Sequence, residues 1–175
     1  MSGICIVSGT NRKESKTFQV AQIYQQVLID QNISQQLFSL TDLPRDIAFS
    51  ALSGESNDAL QELIVKYIDS CSKFVFISPE YNGSFPGVLK TFLDAVHPKH
   101  WANKKAALVG VADGRAGNLR GMEHLTNILN HLKVNVYYNK IPVSQVNNIL
   151  SEPTGKSMQE LVFLFKRQVS GFLEF

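Results

Sequence analysis

Five short apolar runs, near residues 3–7, 35–40, 73–78, 105–112 and 134–138, recur along the chain, and none of them alternates apolar with polar residues. A strand that is apolar at every position has to be covered on both faces, which a sheet with one wet side does not do. Between the runs lie helical patterns. Val20, Ile23, Tyr24, Val27 and Leu28 fall on one helix face, as do Leu60, Leu63, Ile64, Tyr67 and Ile68, at the spacing i, i+3, i+4, i+7, i+8. Val88, Leu89, Phe92, Leu93 and Val96 repeat it after Pro86, Met122, Leu125, Leu129 and Leu132 make a fourth face, and Leu161, Leu164, Phe165, Gln168 and Phe172 a fifth. Strand and helix in regular alternation predict an α/β fold, a doubly wound five-stranded parallel sheet with helices on both faces. Residues 41–56 have no period and contain Pro44, Gly54 and several serines, so a long surface loop is expected there.

With 175 residues and no repeat or linker, the chain is expected to be one domain, 1–175, burying roughly 70% of its unfolded surface without metal or disulfide staples. The formal charge of +2 is made of interspersed residues with no basic block, which disfavours nucleic acid as a partner. Cys5 and Cys71 show no paired spacing, so a reduced, cytoplasmic protein is expected. No signal-like segment opens the sequence and no apolar run approaches the roughly 20 residues of a bilayer span, so no membrane partner is expected.

Two junctions carry the chemistry. After the first apolar run, the hydroxyls of Ser8, Thr10, Ser15 and Thr17 alternate with the cations Arg12, Lys13 and Lys16 just ahead of a helical pattern. A helix N-terminus offers free N–H groups and a positive dipole end, and hydroxyls with cations complete a cradle for a phosphate monoester. After the third run comes Ser78-Pro79-Glu80-Tyr81-Asn82-Gly83-Ser84-Phe85-Pro86-Gly87, a loop at the C-terminal edge of a parallel sheet. No G-x-G-x-x-G is present and Gly9 is not followed by G-K-[ST], which excludes the usual dinucleotide and triphosphate cradles and leaves a mononucleotide.

The strings Ser8-Gly9-Thr10-x-Arg12-x-x-Ser15-x-Thr17 and Pro79-Glu80-Tyr81-Asn82-Gly83-Ser84, the latter followed by Pro86-Gly87-x-Leu89-Lys90-x-x-x-Asp94, resemble the NADPH-dependent FMN reductase family over nearly the whole chain. The resemblance implies a flavodoxin-like sheet of order 2-1-3-4-5 with FMN at the switch point between its first and third strands. It implies that Ser8, Thr10, Arg12, Ser15, Lys16 and Thr17 hold the FMN phosphate. It places Pro79, Glu80, Tyr81, Asn82 and Gly83 along the isoalloxazine edge, with Asp113, Gly114 and Arg120 on a third loop. The family's activity is hydride transfer from NADPH or NADH to bound FMN and on to a second small-molecule acceptor: a flavin, a quinone, an azo compound or a metal oxyanion. The chemistry is the flavin's, with the protein supplying orientation and electrostatics and no catalytic nucleophile. Two substrates sharing one ring face imply ping-pong turnover, and the family associates as a homodimer or a dimer of dimers.

Within the third loop, Asp113-Gly114-Arg115-Ala116-Gly117-Asn118-Leu119-Arg120, the second glycine of the family's G-G-x-R pattern is Asn118. A side chain there, where the backbone normally approaches the ring, is expected to narrow access or weaken flavin binding. Two rival readings share the fold: a non-enzymatic FMN-binding electron carrier and a flavin-free scaffold descendant. The slightly basic charge argues against the first, since such carriers tend to be strongly acidic. His97 and His100 flank Pro98 and Lys99, His124 and His131 lie on one helix, and none has a cluster of ligating neighbours, so no metal site is expected. Lys90 and Asp94 are spaced for a structural i, i+4 pair, and Phe85, Phe92 and Trp101 are expected to support a subunit interface.

Overall fold

The computed structural model describes residues 3–50 and 57–175. Strands β1 (Gly3–Ser8), β2 (Gln35–Ser39), β3 (Cys71–Pro79) and β4 (Lys105–Val111) form a parallel sheet, extended by β5 (Asn135–Val136) and β6 (Ile141–Val143). The order is β2-β1-β3-β4-β5, with β6 also on β4, and every pairing is parallel. This is the flavodoxin-like arrangement.

The apolar runs of β1, β3 and β4 follow from burial on both sides. Cys5 and Val7 of β1, Phe74 and Phe76 of β3, and Ala106 and Leu108 of β4 pack into one core. Their neighbours Ile4, Ile6, Val75, Ile77, Ala107 and Val109 pack into the other. The first core is roofed by α3 (Asp58–Leu63, continued as a π-helical stretch Ile64–Asp69), α4 (Gly87–Ala95) and α5 (Leu119–His131); the second by α1 (Lys16–Asp30) and α7 (Lys156–Glu174). Phe92 and Trp101 are fully buried, with Trp101 edge-on to Phe74 and Phe92 at 5.5 and 5.8 Å. They are core residues, so the expectation that they anchor a subunit interface does not hold. Among the described residues no helix is long and apolar enough to cross a membrane.

The fifth strand position departs from the expected single run at 134–138. It is filled by two short pieces, and the chain leaves the sheet between them. Gln168 on α7 closes the gap: its Nε2 donates to the Leu108 and Asn139 carbonyls at 3.1 and 2.6 Å, while its Oε1 accepts from the Tyr24 hydroxyl at 3.0 Å. A buried carbonyl deprived of its strand partner needs a donor from elsewhere. The expected loop at 41–56 also has structure of its own, with a 3-10 turn at Leu40–Asp42 and a short α2 (Ile47–Ser50) that bury Leu40, Leu43 and Ile47. Three isolated apolar residues are too few to show a period; residues 51–56 lie outside those described. A short α6 (Val146–Ser151) precedes α7.

Candidate functional site

At the C-terminal end of β1 the chain turns across β3: the Gly9 N–H donates to the Ile77 carbonyl at 2.8 Å, and a Cβ on Gly9 would stand 3.0 Å from that oxygen. The next residues coil towards α1. The Arg12 N–H donates to Thr10 Oγ1 at 3.3 Å, and Ser15 caps α1 by accepting the Phe18 N–H on its Oγ at 3.1 Å. Lys16 and Thr17 are the first two helical residues, whose N–H groups have no intrahelical acceptor. Thr17 is buried, and Lys16, Lys13 and Arg12 are exposed. Ser8 Oγ is fully buried without a hydrogen-bond partner.

The second loop is a tight hairpin. Tyr81 and Ser84 exchange both backbone hydrogen bonds, at 2.8 and 3.1 Å, with Asn82 at φ 52° and Gly83 at φ 76° between them. Two consecutive positive φ values are the signature of a type I′ turn, for which Asn-Gly is the preferred pair. Pro79 is the last residue of β3, and the Glu80 N–H donates to the Val111 carbonyl at 3.0 Å, so the turn stands rigidly on β3 and β4. The first two loops meet at Tyr81. Its hydroxyl and Thr10 Oγ1 share a hydrogen bond of 2.7 Å, and the Arg12 guanidinium lies over its ring at 4.5 Å.

From α5, Arg120 lies against the turn: a Cβ on Gly83 would meet its Nη1 at 3.0 Å. One turn further on, His124 Nδ1 and Ser84 Oγ share a hydrogen bond of 2.9 Å. The sequence patterns did not mark His124 for this place, although its i+4 relation to Arg120 puts both on one helix face. The structure thus brings Thr10, Arg12, Tyr81, Asn82, Gly83 and Arg120 to one end of the sheet. Asp113 and Gly114 make no such contact: Asp113 Oδ1 accepts the Asn147 N–H at 3.2 Å at the start of α6, and Gly114 has open space around its Cα.

Asn118 behaves differently from expectation. It has φ 65°, the left-handed conformation a glycine would favour, yet its side chain is 1% exposed and turned into the protein. Its Nδ2 donates to the Ser78 carbonyl at 3.0 Å. The amide therefore ties the third loop to β3, with its side chain buried.

Cations dominate the first loop. None of the ion pairs among the described residues uses Arg12, Lys13 or Lys16. Two cavities flank it: one of about 580 Å³ between Arg12, Lys13, Phe18, Leu37 and Thr41, and one of about 420 Å³ bounded by Asn11, Lys13, Leu43, Arg45 and Val88. Neither is lined by Tyr81, Asn82 or Arg120; Asn82 and Arg120 are exposed, and Tyr81 and Gly83 are half-buried. Unpaired cations, a helix N-terminus and a glycine where a Cβ would crowd the β3 backbone fit a phosphate monoester whose attached ring lies along the turn.

Residues 3–148 match the family model described as NADPH-dependent FMN reductase. The chain is 26% identical over 168 residues to a 2-hydroxy-1,4-benzoquinone reductase of a Burkholderia species, spanning 89% of this chain and 90% of that protein. It is 39% identical over 70 residues to an NAD(P)H-dependent FMN reductase of Pseudomonas aeruginosa, 38% of each. The solved structure of a flavoenzyme NAD(P)H:(acceptor) oxidoreductase from Paracoccus denitrificans superposes with a TM-score of 0.79 at 19% identity, over 99% of this chain and 96% of that one, a likeness of fold.

Proposed function

Because the chain belongs to the NADPH-dependent FMN reductase family, we propose that it binds one FMN non-covalently across the Thr10–Tyr81 junction and oxidises NAD(P)H there. FMN in that place supplies the ring that takes hydride from the nicotinamide and passes reducing equivalents to a second acceptor. The protein's part is binding and orientation. Arg12, Ser15, Lys16 and Thr17 face the phosphate with a guanidinium, an ammonium and the open end of α1. The Asn82–Gly83 turn and Arg120 border the ring edge. Ser8, Pro79 and Glu80 hold the two loops on the strand ends, and Asp113 braces the third loop against α6 through the Asn147 N–H.

The observation that carries this reading is the exposed Arg12 guanidinium, held over Tyr81 beside a helix N-terminus and without a carboxylate partner among the described residues. Quinones and flavins are the acceptors we favour, supported by the 2-hydroxy-1,4-benzoquinone reductase among the relatives. The two free thiols support a cytoplasmic location. Exposed Leu119 next to Arg120, and Phe49 at 82% exposure, support a homodimer or dimer of dimers with its interface near the site.

Titration of the flavin-free protein with FMN and with riboflavin tests the site. One FMN per chain is expected, with bleaching by NADPH or NADH and reoxidation by a benzoquinone. Arg12→Ala should weaken FMN by about 10- to 100-fold, the equivalent of a charge-assisted hydrogen bond of about 1.5–3 kcal/mol, and leave riboflavin unaffected. Equal affinity of the parent for FMN and riboflavin would sink the phosphate assignment, and a protein that stays colourless with both would sink the flavin reading. Light scattering of the flavin-loaded protein at micromolar concentration checks the oligomer, which a monomer mass excludes.

A further inference from the structure

Thr10 lies in the middle of the phosphate-loop pattern, and by residue type it belongs to the ligand. Its surroundings give it another part. Thr10 is 1% exposed, and its hydroxyl already serves two groups: it accepts the Arg12 N–H at 3.3 Å and shares the 2.7 Å hydrogen bond with the Tyr81 hydroxyl. A threonine hydroxyl has one donor and two acceptor positions, so two neighbours take most of its capacity. Tyr81 is half-buried and its ring carries the Arg12 guanidinium at 4.5 Å. Arg12, by contrast, is exposed. The route from Thr10 to a bound anion therefore runs through Tyr81 and Arg12.

Resting on the flavin reading above, we propose that Thr10 is a positioning residue that acts through Tyr81: its hydroxyl pins the phenol, the pinned ring fixes the Arg12 guanidinium, and Arg12 is the group that meets the phosphate monoester. A guanidinium on a long side chain loses much rotamer freedom when it binds, and an aromatic face that holds it beforehand removes part of that loss. The same tyrosine opens the type I′ turn, so one side chain joins the phosphate loop to the ring edge.

The test is a set of affinities for FMN and riboflavin, read by quenching of flavin fluorescence on the flavin-free protein. Thr10→Val and Tyr81→Phe should each weaken FMN about five-fold, and the double variant should be no weaker than either, because both cut the same link. Riboflavin, which lacks the phosphate, should be unaffected by the Thr10 substitutions. Thr10→Ser, which keeps the hydroxyl, should restore parental affinity, and in an Arg12→Ala background neither substitution should change FMN binding further. Additive losses in the double variant, or a loss from Thr10→Val that persists without Arg12, would place Thr10 on the phosphate itself and overturn the proposal. So would parental affinity in both single variants while Arg12→Ala remains defective. Failure of the underlying flavin reading is separable, because the parent would then show no preference for FMN.

Discussion

Gly121, in the first turn of α5, is the position at which one added methyl should do most damage. A Cβ there would stand 2.1 Å from Asn118 Oδ1, 2.8 Å from its Cγ and 2.9 Å from the backbone nitrogen of Phe85. Asn118 does not give way freely, because its Nδ2 is bound to the Ser78 carbonyl at 3.0 Å inside the protein. Swinging the amide aside leaves that carbonyl without this donor, at about 1–3 kcal/mol. Overpacking against the Phe85 backbone adds about 1–3 kcal/mol, and the better helix propensity of alanine returns about 1 kcal/mol. Gly121→Ala should therefore cost about 3 kcal/mol, read as a lower urea midpoint of the flavin-free protein at unchanged m. The companion variant Asn118→Gly removes the clashing oxygen and suits φ 65°. Combined with Gly121→Ala, it should give a double variant little worse than Gly121→Ala alone, a coupling of about 1–2 kcal/mol. A Gly121→Ala protein as stable as the parent, or strictly additive losses, would refute the placement of the Asn118 amide.

Gln168→Leu should destabilise by about 3 kcal/mol in urea melts, since it strips the buried Tyr24 hydroxyl and the Leu108 and Asn139 carbonyls of their partner; a neutral result would mean other groups fill the gap in the fifth strand. Gly83→Ala should cost about 1–2 kcal/mol and weaken FMN, because φ 76° and Arg120 Nη1 at 3.0 Å both oppose a methyl, whereas Asn82→Gly keeps the turn and should leave stability near parental. The Cys71 thiol, hydrogen-bonded first by Cys5, then by the Gln36 amide at 3.1 Å and Ser70, and near the Lys104 ammonium, is lowered from 9.0 to about 6, so its thiolate absorbance should titrate near that value. Cys5→Ser should shift this titration and Cys71→Ser abolish it; a titration in the ordinary thiol range would count against the pair. Because the folded thiol is the stronger acid, the stabilisation is complete above about 9 and lost as pH falls through about 6, so the stability gap between parent and Cys71→Ser should widen as pH rises from about 6 to about 9.

Short-range chemistry was legible in the sequence by itself. Apolar runs without alternation required a sheet covered on both faces, and Asn82-Gly83 and Ser15 each sit in the local conformation their side chains favour, a type I′ turn and a helix cap. Those preferences act within a few residues, so a linear pattern records them. What only the tertiary structure decided depends on partners far along the chain. Thr10 and Tyr81 are 71 residues apart, and nothing in either loop says that one hydroxyl will be buried under the other. Asn118, read from its loop, is a side chain in place of a glycine; the carbonyl of Ser78, 40 residues away, draws its amide inward. Trp101 and Phe92 have the composition of interface anchors but fill the core beneath α4, where the aromatic side chains of β3 leave room for them. The fifth strand breaks where Gln168 supplies from α7 the donor that the sheet omits. A side chain's direction in a loop is set by which buried polar group or cavity meets it, and that meeting exists only once the chain has folded.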